Sequence, residues 1–365
     1  MLTFQLELYI LMQVINAVAP IRICDIGGWT DTWFAKFGYV FNIAVYPYVE
    51  VQIKVNENIE VKNRILIDLE NYGDQYIFSP ATKVKGSFGE TISFRPTDAE
   101  SGKYPLIETS LDVLNFRKDC GLEINIYSAA PPGASTGTSA AVSVALIGAL
   151  NKLMEDRMTA HEVAMFAHSI ETQYMGLQCG VQDQLASAYG GINAIQINDF
   201  PHAIVSPINI ADNVWWELEQ RLCVIYMGKP HKSSEVHRAV IEKMGTNSHF
   251  NDNIEELRCL AKKAKTNVLN GNLDGLGDIM NRNTEVQRKM HPDLVCQKAE
   301  ETIAMAKDFN AVGCKVNGAG GDGGSLTIMF GQNHSDKRKF IAEIKRKGEV
   351  FNLPIYLSRK GLRVW

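Results

Sequence analysis

A half-buried strand at 122–127, in which Leu122, Ile124 and Ile126 alternate with Glu123, Asn125 and Tyr127, runs into PPGASTGTSAA at 131–141 and then into VSVALIGALNKLM, a stretch apolar almost all round. A helix apolar on every side must be covered on every side, so this segment demands a layered fold with a substantial core. The strand, glycine loop and helix also make a ready anion site, because a helix N-terminus offers unpaired N–H groups and the positive end of its dipole. Gly133 and Gly137 let backbone approach an anion closely. Ser135, Thr136, Thr138 and Ser139 add hydroxyls, and a hydroxyl can also ligate Mg²⁺. Neither a Gly-Lys-Ser/Thr nor a G-x-G-x-x-G is present, so this is not a Walker A loop or a dinucleotide fingerprint. A tight strand–helix turn with polar capping would use the same residues, and the loop alone leaves both readings open.

The rest of the chain fits an α+β protein. Its 365 residues are enough for two domains at about 100–200 residues each. Strands are expected at 17–24, 40–55, 192–197, 221–227, 314–317 and 326–330. Thr159 and Glu162 form a capping-box pair that opens a helix to about Met175, followed by a loop at 176–184 and a short helix at 184–189. Long helices are expected at 254–290 and 295–309, and a helix with one or two short strands at 335–365. Two halves are expected to meet near residue 200, giving domains 1–200 and 201–365. The 29 glycines gather at 27–28, 133–137, 190–191 and 318–324, in loops between these elements.

Composition excludes several classes. Lys+Arg 37 against Asp+Glu 41 leaves a net charge of −4, which is no footprint for nucleic acid. The seven cysteines form no C-x-x-C, so neither a disulfide framework nor a structural zinc site is expected. No apolar run reaches the ~20 residues that span a bilayer, and the N-terminal MLTFQLELYILM, interrupted by Glu7, reads as a strand or an extension rather than a signal peptide. A cytoplasmic protein is the expectation. His161 and His168 fit surface or core roles better than metal binding.

Two acids stand apart. Glu171 falls near the end of the 159–175 helix, and Asp183 falls in CGVQDQ beside Gln182 and Gln184. Phosphoryl transfer needs a cation on the phosphates and a group to take or orient the acceptor proton, and carboxylates serve both ends. Solvated surface acids would look the same locally.

Four segments in order resemble the GHMP kinases: APIRICDIGGWTDT at 19–32, PPGASTGTSAA at 131–141, IETQYMGLQCGVQDQLASAYGGIN at 170–193 and KVNGAGGDGG at 315–324. The first of these is most similar to the sugar 1-kinase branch, both heptose 7-phosphate kinases and L-fucokinases. Trp29 with Thr30, Asp31 and Thr32 leans toward the fucokinase pattern, and the chain length toward the heptose kinase pattern. The resemblance implies an N-terminal α+β domain with a left-handed βαβ unit and a ferredoxin-like C-terminal domain. The left-handed crossover runs against the general rule for such units.

The resemblance further implies ATP and Mg²⁺ as cofactors, with Pro132, Gly133, Ser135, Thr136, Gly137, Thr138 and Ser139 around the nucleotide phosphates. It implies Ser139 and Glu171 as magnesium ligands, Asp183 as the group receiving the acceptor proton and Arg22 beside it. Gly28, Trp29, Asp31, Gly318, Ala319 and Gly320 would serve the substrate pocket. Ser135-Thr136 departs from the family's Gly-Leu, stiffening the loop, and Asp322 adds a charge that is expected to point away from phosphate or toward metal-side water. His231, Lys232, Ser233 and Ser234 fit an acceptor contact and an ordinary surface loop equally well.

The implied function is phosphorylation of a sugar hydroxyl, with the anomeric hydroxyl of D-glycero-D-manno-heptose 7-phosphate leading and L-fucose or galactose as alternatives. A mevalonate or homoserine acceptor fits the first motif less well. A non-catalytic regulator would be expected to lack one of Arg22, Ser139, Glu171 and Asp183, all of which are present. The partner is a small-molecule sugar or sugar phosphate, with no nucleic acid and no membrane, and a homodimer is an assembly the sequence allows.

Overall fold

The computed structural model describes residues 13–57, 64–80, 82–85, 91–94, 102–117, 119–229, 236, 240–241 and 250–365. The N-terminal stretch through residue 12 and the group His231 to Ser234 lie outside the described residues.

In chain order the strands are β1 (Gln13–Ile26), β2 (Gly38–Asn56), β3 (Ile65–Leu69), β4 (Asp74–Phe78), β5 (Thr82–Lys85), β6 (Thr91–Phe94), β7 (Gly121–Ser128), β8 (Ile192–Asp199), β9 (His202–Pro207), β10 (Leu222–Tyr226), β11 (Ala311–Val316), β12 (Ser325–Phe330), β13 (Phe351–Leu353), β14 (Tyr356–Leu357) and β15 (Arg363–Val364). The helices are α1 (Pro105–Val113), α2 (Thr138–Leu150), α3 (Ala160–Ser169), α4 (Gln182–Tyr189), α5 (Asp212–Arg221), α6 (Phe250–Leu269), α7 (Leu273–Met290), α8 (Gln297–Asp308) and α9 (His334–Lys347).

Nine of the described strands form one sheet built around β2, whose first half pairs with β8 and whose second half pairs with β7. The strand β1 runs antiparallel to β2, with register shifts between Pro20 and Ile21 and between Ile23 and Ile26. The second shift spans Cys24 and Asp25, and Cys24 has φ +54°, so the strand is bent where it carries Asp25. The buried helix α2 lies against β1 and β2 with α3 and α4 beside it, which meets the demand its all-apolar surface makes. A second, antiparallel sheet runs β11-β12-β10-β13, with α8 and α9 packed on it around a separate core that includes Phe330, Phe340 and Ile344. The fold is a mixed α+β architecture built on these two main sheets.

Three sequence expectations change. The helix expected over 254–290 is two helices, because Gly271 takes φ +68° and the Asn272 side chain accepts from Gly275 N–H to start α7. The 159–175 helix ends in a π-helical turn at Ile170–Tyr174. The short helix starts at Gln182, so Asp183 sits in its first turn rather than in a loop. The chain after residue 355 returns to the first sheet, with β14 on β2 and β15 on β1. We retain the boundary near residue 200 as a proposal that applies up to that return.

Candidate active site

Arg22 and Asp183, 161 residues apart, meet at the centre of the molecule. Arg22 Nε donates to Asp183 Oδ1 at 2.8 Å and Nη2 to Oδ2 at 3.0 Å, a bidentate pair. The third guanidinium nitrogen, Nη1, donates to the carbonyl of Ser135. The Arg22 backbone N–H donates to Thr136 O at 2.9 Å, so β1 is stitched to the glycine loop through both main chain and side chain. Arg22 is buried, while Asp183 keeps 27% of its side chain exposed toward the cavity. Burial opposes the charge on Arg22, but Asp183, Asp25 and Asp31 outweigh it and hold the guanidinium firmly protonated.

The loop before α2 fits around this pair. Gly137 caps the helix at φ +70°, and a Cβ there would lie 3.2 Å from Asp183 Oδ2. Ser135 adopts φ +58°, the conformation in which a glycine costs least, and so accepts the strain its place in the loop demands. All of Pro132, Gly133, Ser135, Thr136, Gly137, Thr138 and Ser139 line a cavity of about 560 Å³, and Thr136 and Thr138 hydroxyls lie 3.2 Å apart. The same cavity is lined by Arg22, Asp25, Trp29, Asp31, Glu171, Asp183, Gly318 and Ala319. Leu69, Tyr72, Tyr104, Leu106 and Ile126 add apolar side chains to the same lining.

Asp31 Oδ2 accepts from Gln182 N–H at 3.1 Å, and a Cβ on Gly180 would meet that oxygen at 2.0 Å, so only glycine admits the carboxylate there. Burial, then the charge of Asp183, pushes the Asp31 carboxyl up to about 6. Glu171 sits on the π-helical turn and accepts from Gln184 Nε2 at 2.7 Å; burial pushes it up to about 7 against that hydrogen bond. Trp29 lines the cavity at φ +79°, a conformation a bulky residue takes only when its surroundings impose it, and Thr32 Oγ1 holds its carbonyl at 2.6 Å.

Two expected pocket residues are elsewhere. Gly28 lies behind Asp25, where a Cβ would be 2.8 Å from Oδ2, and is not on the cavity wall. Gly320 also lies off the wall, packed so closely on Leu294 that a Cβ would be 2.0 Å from its carbonyl oxygen. Asp322 is 82% exposed and faces Lys229 at 3.6 Å on a separate, smaller cavity, so it points away from the glycine loop as expected.

Sequence reasoning missed the residues that join the motifs. Asp25 receives Gly318 N–H on both oxygens, at 3.1 and 3.0 Å, and Lys315 Nζ at 3.3 Å. Asn317 Oδ1 accepts from Cys24 N–H at 3.1 Å and from Thr327 Oγ1 at 2.7 Å, while Ser325 Oγ donates to Ala134 O at 2.6 Å. From α7, Asn283 accepts from Gly27 N–H at 2.9 Å and Gln287 donates to Gly318 O at 3.3 Å. Arg258 on α6 holds the carbonyls of Ala35 and Phe37, fixing the turn after Asp31. One signal was available: a lysine in the strand-like CKVN needs a buried counter-charge.

These four segments enclose one cleft between a phosphate-sized loop and a carboxylate–guanidinium pair. Residues 106–191 match the family model "GHMP kinases N terminal domain". Over those residues the chain carries a GHMP kinase N-terminal domain. It is 26% identical over 346 residues to the bifunctional fucokinase/GDP-fucose pyrophosphorylase of Arabidopsis thaliana, covering 92% of this chain and 32% of that protein. The chain thus spans about a third of that relative's length. It is 22% identical to D-glycero-alpha-D-manno-heptose 7-phosphate kinase of Campylobacter jejuni, covering 97% of this chain and 99% of that one. A solved structure described as a putative sugar kinase from Campylobacter jejuni superposes with a TM-score of 0.73 at 19% identity, covering 97% and 99% of the two chains. Among the described residues, no helix is long and apolar enough to cross a membrane.

Proposed function

We propose that this chain is an ATP-dependent kinase that phosphorylates a sugar hydroxyl, with the anomeric hydroxyl of D-glycero-D-manno-heptose 7-phosphate as the leading acceptor. The observation that carries this reading is the bidentate Arg22–Asp183 pair set directly beside the glycine loop, with Asp31 held by the N–H of Gln182, the residue before Asp183. The full-length likeness to the heptose 7-phosphate kinase supports the acceptor. L-Fucose is the second reading, supported by Trp29 on the cavity wall within GGWTDT and by the likeness to the fucokinase.

The nucleotide base would lie against the apolar part of the cavity lining and its phosphates against the loop at 132–139. The donor set fits magnesium: Ser139 and Glu171 are hard oxygen ligands on the cavity wall, and among the described residues no cluster of three or more side chains forms a metal cage. Mg²⁺ usually keeps phosphate and water ligands besides one or two protein groups, which such a pair suits. When bound, the ion neutralises charge on the phosphates.

Asp31 then holds sugar hydroxyls, and Asp183 accepts the proton of the attacking hydroxyl as its oxygen bonds to the γ-phosphorus and the bond to ADP breaks. An anomeric hydroxyl is more acidic than an ordinary alcohol, so a carboxylate suffices as the acceptor of that proton. Arg22 keeps Asp183 aimed through its two hydrogen bonds and offsets charge on the phosphoryl oxygens. The test is ADP release with D-glycero-D-manno-heptose 7-phosphate, L-fucose, D-galactose and mevalonate, with ³¹P NMR of the product. Turnover with a sugar and an anomeric phosphate product is expected; turnover with mevalonate alone, or with none, would overturn the reading.

A further inference from the structure

The third glycine motif carries a charge that the mechanism above does not use. Lys315 is 1% exposed and lies on β11, while Asp25, also 1% exposed, lies at the bend of β1. Between Asp25 and Arg22 stands Gly318. Its N–H is held by both Asp25 oxygens, and a Cβ on it would be 3.3 Å from Arg22 Nη2 and 3.2 Å from Ser135 O. Arg22 and Lys315 both feel the Asp25 carboxylate, and both Asp25 and Arg22 line the cavity. The guanidinium therefore feels three carboxylates, those of Asp183, Asp25 and Asp31, but is bonded to one of them, Asp183.

We infer that Lys315 is a positioning residue that neutralises Asp25 and so reserves Arg22 for Asp183 and the transferring phosphoryl group. A buried carboxylate left without its cation is strongly unfavourable and recruits whatever charge is near. Without Lys315 that charge is Arg22, which would turn Nη2 toward Asp25 and give up half of its fork on Asp183. Lys315 tolerates its burial through Asp25: desolvation lowers its pKa, and the Asp25 charge opposes that fall. The absence of a side chain at Gly318 leaves room for Arg22 Nη2 and the Ser135 carbonyl beside it.

The inference rests on the roles proposed above for Arg22 and Asp183. It makes an asymmetric prediction that a purely structural ion pair does not. Lys315→Met lowers kcat at least about tenfold, the scale of a misaligned catalytic group, and leaves KM for MgATP within about threefold. Asp25→Asn, which removes the competing charge but leaves Lys315 without its counter-charge, lowers kcat by less than Lys315→Met does. The double variant Asp25→Asn/Lys315→Met recovers kcat to the level of Asp25→Asn, whatever its melting temperature. The assay is ADP release with the sugar that the acceptor panel identifies, alongside thermal melting and a crystal structure of Lys315→Met, expected to show Nη2 turned to Asp25. An unchanged kcat in folded Lys315→Met, or a double variant as slow as the single, would overturn the inference. Asp183→Asn in the same assay separates the two levels: if that variant turns over normally, the underlying roles fail instead. Should Lys315→Met not fold, Lys315→Gln and the double variant carry the comparison.

Discussion

Replacing Gly137 by alanine is the smallest change that disturbs the Arg22–Asp183 pair without deleting any of its atoms. The residue caps α2 at φ +70°, where an L-side chain costs about 1–2 kcal/mol, so a fall of a few degrees in melting temperature is expected. The added Cβ would stand 3.2 Å from both Cγ and Oδ2 of Asp183 and 3.4 Å from Arg22 Cγ. The carboxylate must retreat by a few tenths of an ångström, yet it is pinned by hydrogen bonds of 2.8 and 3.0 Å and cannot swing without stretching one. A misplacement of about 1 Å costs on the order of 10²-fold in rate, so a shift of a third to a half of that predicts a kcat roughly three- to tenfold lower. Steady-state ADP release at saturating acceptor and MgATP, with calorimetric melting under the same buffer, measures both effects. A normal kcat with the expected loss of stability would refute the reasoning, because it would show that the position of Asp183 does not govern turnover.

Other outcomes follow from the same geometry. Glu171 binds its proton more tightly folded than unfolded, so between about pH 4.5 and 7 the native state holds the extra proton and stability falls as pH rises. Glu171→Gln should flatten that decline, raising the melting temperature at pH 8 while increasing the Mg²⁺ needed for turnover; a variant with the parent's pH–melting curve would contradict this. Ser139→Ala should raise the half-saturating Mg²⁺ concentration, which a magnesium titration reads directly. Asp322→Asn, exposed and on the other cavity, should leave kcat/KM within about twofold.

The strand, loop and helix around 122–154 were readable because one local pattern dictated each: alternation, glycine spacing and an all-apolar run. The Thr159–Glu162 capping box was readable for the same reason. Asp183 stood out as a candidate, but a solvated surface acid would look the same locally, and its pairing with Arg22 spans 161 residues. Asp25 did not stand out. Its meaning comes from a bend in β1 and from Lys315, 290 residues away, and neither leaves a mark on the neighbouring sequence. Gly28 and Gly320, which the family resemblance implied for the substrate pocket, lie off the cavity wall, and a glycine's close backbone approach does not by itself say to what. In both cases the close neighbour is protein: the Asp25 carboxylate for one and the Leu294 carbonyl for the other. Asn283 and Gln287 were invisible as site supports, since on α7 they look like ordinary polar helix residues, and only tertiary packing turns them toward Gly27 and Gly318.

In the proposed reaction Asp183 takes the acceptor proton while Arg22 holds it. The direct measurement is Asp183→Asn assayed two ways, by MgATP binding in calorimetry and by ADP release with the accepted sugar. The expected result is MgATP affinity within about threefold of the parent and turnover lower by about 10²-fold or more. Near-normal turnover with intact MgATP binding would contradict it.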